Sequence, residues 1–178
     1  MPRAWDTFKN TIKSYFDSNS AVKDELTAKF LATQYTAAVL QGGDSVAGNV
    51  VIAQPPMTLA LESAFNDAFS KARLITDIQQ SSFIFGSAIS QGLITFWTGA
   101  QLSPLLPPPG SISVVPPNTV AVAGVPILRL EVGHDIDFTD SLVSFFQQHL
   151  QTLSGITIAL VPAAPSPIPT PFPWTGYL

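Results

Sequence analysis

Cysteine is absent from the 178 residues, which removes disulfides, thiolate metal sites and thiol nucleophiles together. Charge is scarce as well. Asp, Glu, Lys and Arg make up 11% of the chain, against about a quarter in an ordinary soluble domain. Between Ile78 and Leu128 there is no charged side chain at all. The basic residues number eight and form no run, five of them (Arg3, Lys9, Lys13, Lys23 and Lys29) lying before residue 30, and the net charge is −4. Direct binding of nucleic acid needs clustered cations to neutralise phosphates, so none is expected. Met1 to Ser20 carries Asp6 and Asp17 inside an amphipathic helical pattern, which is not how a signal peptide reads. The most apolar window, Ile78 to Trp97, contains Gln79, Gln80, Gln91 and several serines. It is too polar for a membrane span of ~20 predominantly apolar residues.

Apolar surface is what the chain has in quantity. Hydrophobic residues are 46% of it and the mean hydropathy is +0.31. With so little charge to cover them, exposed apolar patches are expected, and such patches mark contacts with partners. Five helices are legible from their periodicity. The first, over 2–17, aligns Trp5, Phe8, Ile12, Tyr15 and Phe16. The second, over 21–41, starts after Ser20 as cap and aligns Val22, Leu26, Phe30, Leu31, Tyr35, Ala38 and Val39 before Gly42-Gly43 stops it. The third, over 57–74, sets a ridge of Ala60, Ala64, Ala68 and Ala72 beside one of Leu61, Phe65 and Phe69. A ridge of alanines at four-residue spacing lets another helix backbone come close. The fourth, over 78–97, is apolar or small nearly all round, which predicts burial in this protein or in an assembly. The fifth, over 138–153, aligns Phe138, Leu142, Phe145, Phe146, His149 and Leu153, with Asp137 as cap.

The fold class read from this is mainly α with a small β-hairpin or strand element and an extended Pro-rich C-terminal arm. Four helices form a helical domain over 1–103. Residues 104–136 are a Pro-rich loop and β segment, 137–160 the last helix and a short strand, and 161–178 the arm. The hairpin is expected where Ser111 to Val115 and Thr119 to Ala123 flank Pro116-Pro117-Asn118. In the arm, Pro165, Pro167, Pro169, Pro171 and Pro173 fall at every second residue. Alternate residues of an extended chain present their backbone groups to the same edge. The prolines therefore delete donors along one edge only, so that the arm can pair on one side and not on both. It is expected to dock on a neighbouring subunit through Ile168, Phe172, Trp174, Tyr177 and Leu178, with Phe96 and Trp97 as further interface residues.

Three windows resemble chemistry. Gly43-Asp44-Ser45-Val46 is similar to the serine motif of GDSL-type esterases, but that Ser should follow a first strand and be matched by Asp-x-x-His, and neither histidine has an Asp three residues before it. Asp44 and Ser45 read instead as residues of a helix exit. Glu131, His134, Asp135, Asp137 and Asp140 form the acidic cluster of the chain, and Asp135, Asp137 and Asp140 are the candidate metal ligands. The competing reading is helix N-terminal charge, which the macrodipole favours. His149 sits among Phe145, Phe146 and Leu153 and reads as a core or interface histidine. No cofactor is expected, and the chain is not read as an enzyme.

The Gly-Gly-Asp helix exit, the charge-poor Trp97-Thr98-Gly99-Ala100 junction and the Pro-Phe-Pro-Trp arm give the chain a style that resembles the minor structural proteins of tailed bacteriophages, the neck, tail-completion and baseplate subunits. The resemblance implies a structural subunit of a virion, assembled in the host cytoplasm, whose partners are other copies of itself and other structural proteins. Two readings compete with it. One is a membrane-associated protein with helix 78–97 embedded, and without a virion the expected location is the cytoplasm. The other is a hydrolase or metal-binding protein using the 131–140 cluster.

Overall fold

A computed structural model describes residues 4–18, 23–40, 43–45, 48–54, 58–97, 101–104, 113–121, 137–151, 154–160 and 168–173, with side chains placed over 6–18, 23–39, 58–97 and 137–149. The protein is mainly α. Its helices are α1 (Ala4–Ser18), α2 (Asp24–Leu40), α3 (Thr58–Ala72), α4 (Ile78–Trp97) and α5 (Phe138–Gln151). One apolar core draws on all five of them. α5 thus belongs to the same core as the four helices before it, and the division at residue 103 does not separate two cores.

Each buried stripe follows from helical spacing. α1 contributes Phe8 and Ile12, and α2 contributes Ala28, Leu31, Ala32, Tyr35, Ala38 and Val39. Leu26, expected in that stripe, is 60% exposed. It lies nine positions before Tyr35, which is about two and a half turns, and therefore on the opposite side of the helix. α2 starts at Asp24 rather than Ala21, and Ser20 lies outside the described residues.

Aromatic rings tie the helices together. Phe146 of α5 meets Phe8 of α1 edge-on with centroids 5.7 Å apart, Tyr35 of α2 at 4.4 Å and Phe65 of α3 at 6.3 Å. Tyr35 in turn meets Phe96 of α4 at 5.1 Å, and its hydroxyl accepts a hydrogen bond of 3.1 Å from Trp97 Nε1. The indole donor is satisfied inside the core, which makes full burial of Trp97 affordable.

α3 and α4 form an antiparallel pair joined through Asp77, whose carboxylate caps α4 by accepting from the Gln80 N–H at 2.7 Å. The alanine ridge decides how near they come. A Cβ built on Gly92 would stand 2.1 Å from Ala64 Cβ. No pair of carbon atoms tolerates that distance, so position 92 has room for hydrogen alone. Leu61 and Phe65 on α3, with Ile89 and Leu93 on α4, are completely buried on the core side of this contact.

The described strands are β1 (Gly43–Ser45), β2 (Gly48–Gln54), β3 (Gln101–Pro104), β4 (Ser113–Ala121), β5 (Ser154–Leu160) and β6 (Ile168–Pro173), paired antiparallel in chain order. The expected hairpin turn at Pro116-Pro117-Asn118 is not present. Ser113–Ala121 is one strand whose register against β5 shifts between Val115 and Thr119. Two prolines without N–H groups interrupt the ladder there without reversing the chain. β3 lies at the end of the stretch expected as helical domain, residues 1–103, and reaches Pro104. Residues 122–136, the remainder of the expected β segment, lie outside the described residues.

Gly92→Ala is expected to lower the unfolding free energy by about 1–3 kcal/mol, the cost of forcing a methyl into a filled contact. Ala64→Gly in the same chain should recover part of that loss, because it removes the atom that clashes. Urea unfolding of the two single variants and the double variant measures this, and strictly additive effects would contradict the contact.

Candidate interaction surface

α4 was expected to be covered on every side. The core face is, with Phe85, Ile89, Leu93, Phe96 and Trp97 buried. The other face is open, with Phe83 52% exposed. This corrects two expected interface residues. Phe96 and Trp97 have no exposed surface and lie in the chain's own core, on the side of α4 turned away from solvent. Sequence periodicity could not distinguish them from Phe83, because a helix apolar all round gives no phase from which to choose a buried face.

The open face lines a groove of about 810 Å3 between α3 and α4. Its α3 wall carries Ala60, Ala64 and the pair Asp67 and Lys71, and its α4 wall carries Phe83, Ser87, Ala88, Gly92 and Thr95. Small residues dominate because the Ala64–Gly92 contact requires them, and short side chains leave the space above the contact unfilled.

Four polar side chains in this groove are partnered within the chain. Ser87 Oγ donates to the Phe83 carbonyl at 2.7 Å, and Thr95 Oγ1 donates to the Gln91 carbonyl at 3.1 Å. Lys71 Nζ lies 2.7 Å from the Asp67 carboxylate, one turn away on the same helix. Removing a polar group from water is costly chiefly when it loses its hydrogen bonds. These four groups would keep theirs if the face were covered.

The acidic cluster is employed elsewhere. Asp137 Oδ1 accepts from the Thr139 N–H at 2.8 Å and caps α5. That backbone hydrogen bond, with smaller help from the Asp140 N–H and from Lys13, holds its carboxyl below the usual carboxylate range. Asp140 pairs with Lys9 of α1 at 2.6 Å, and Asp137 stands 4.0 Å from Lys13. The hydrogen bond and charge of Asp140 raise the Lys9 pKa. The two carboxylates thus dock the start of α5 onto α1. Glu131, His134 and Asp135 lie outside the described residues, and among the described residues no group of three metal-ligating side chains gathers.

His149 is completely buried, and burial pushes its pKa down from 6.5 to about 4. It is neutral at pH 7 and inaccessible to a substrate. Gly43–Ser45 forms β1, paired with Gly48–Val50, so the Asp44-Ser45 pair lies on a strand rather than in a helix exit.

In the arm, Ile168–Pro173 pairs with β5 of the same chain, Ile168 opposite Ala159 and Phe172 opposite Gly155. This pairing uses one backbone edge of the arm within the chain itself. Only Ile168, Thr170 and Phe172 can donate to this ladder, since Pro169, Pro171 and Pro173 have no N–H. Trp174, Tyr177 and Leu178 lie outside the described residues.

No known family model matches the chain, and neither a curated protein nor a solved structure matches it.

The buried histidine has a measurable consequence. Its imidazole is neutral in the folded state, while the unfolded chain takes up a proton below pH 6.5, so stability should fall as pH drops from 6.5 toward about 4. The loss over that window should reach about 3 kcal/mol. Asp137 adds its own acid sensitivity only below its ordinary pKa of 3.8. Urea unfolding between pH 7 and 4 should show the slope in the natural chain and lose it in His149→Gln.

Proposed function

We propose that the protein is a structural subunit of a multi-subunit assembly, held to its neighbours by the outward face of α3 and α4. One observation carries this reading: a groove walled by two helices presents a half-exposed phenylalanine among small residues, and the polar groups in it named above are satisfied within the chain. These groups keep their partners when water leaves the groove. Covering the groove therefore strands none of them. The scarcity of charge along the sequence supports the same conclusion, as does Leu59, 78% exposed on α3.

The kind of assembly is proposed from style alone, as the neck, tail or baseplate of a tailed bacteriophage. In this role the Pro-rich arm serves a narrower purpose than a clasp. With β6 laid on β5, its outer edge is the proline edge, which offers no N–H donors to a further strand. The sheet is closed to extension on that side, and contacts between subunits fall to the helices.

Among the described residues no helix is long and apolar enough to cross a membrane. The membrane-associated alternative therefore needs the same α4 face to lie against lipid or partner helices.

Gradient sedimentation of material from the source, followed by immunodetection of the chain, tests the proposal. The chain is expected in particles far heavier than its own 19.0 kDa. Recovery only at the monomer position would overturn it, and recovery in membrane fractions that detergent dissolves would favour the alternative.

A further inference from the structure

We draw no further inference here: the strongest candidate, the apolar pocket of about 310 Å3 walled by Phe69, Ile75, Ile78, Phe85 and Phe138 where the end of α3 meets the starts of α4 and α5, carries nothing, because Arg73, Ser81 and Ser82 around it are partnered within the chain and nothing in the structure shows what covers it.

Discussion

The contact between Ala64 and Gly92 sets the terms for the rest of the molecule. It brings two helix backbones to a separation that only an alanine methyl and a hydrogen permit. On one side of the contact this closeness lets Leu61, Phe65, Ile89 and Leu93 interlock completely out of water. On the other it leaves a groove whose walls near the contact are the small residues Ala60, Ala64, Ala88 and Gly92. The buried core and the open groove are thus two faces of one packing decision, and a larger residue at position 92 disturbs both.

Against that helix pair the remaining helices are held by rings in the centre and ions at the rim. Phe146 is the meeting point, with aromatic neighbours on α1, α2 and α3. The Lys9–Asp140 pair, the Lys13–Asp137 approach and the Arg73–Asp24 pair lie outside the core, where exposed ion pairs contribute little, about 0–1 kcal/mol each. They orient elements more than they stabilise them. His149, buried one turn after Phe145, adds a titratable group that is silent at neutral pH.

Much of the helical part was legible because period and punctuation agree there. α4 runs from Ile78 to Trp97 as its composition predicts, and Asp137 caps α5 as its position suggests. The alanine ridge on α3 announced a close neighbour, though not that Gly92 would be the residue received. What periodicity could not supply was direction. α4 is apolar around nearly its whole circumference, so nothing local tells Phe83, which is exposed, from Phe96 and Trp97, which are buried. Leu26 misled for a related reason: an apolar residue near a helix start invites inclusion in the stripe although the phase excludes it. Pro116 and Pro117 read as a turn in sequence because proline favours turns, whereas paired flanks carry the strand through an irregularity. The arm's one-edged chemistry could be deduced from sequence, but which strand it would meet depends on distant chain.

The account reduces to the claim that the outward face of α4 is dry in the working protein. Hydroxyl-radical footprinting of the assembled and dissociated protein measures this at single residues, with Leu74, 85% exposed in the turn after α3, as an internal reference. Phe83 should be oxidised readily in the dissociated chain and protected in the assembly, while Leu74 reacts more nearly alike in both. Equal oxidation of Phe83 in the two states would contradict the claim.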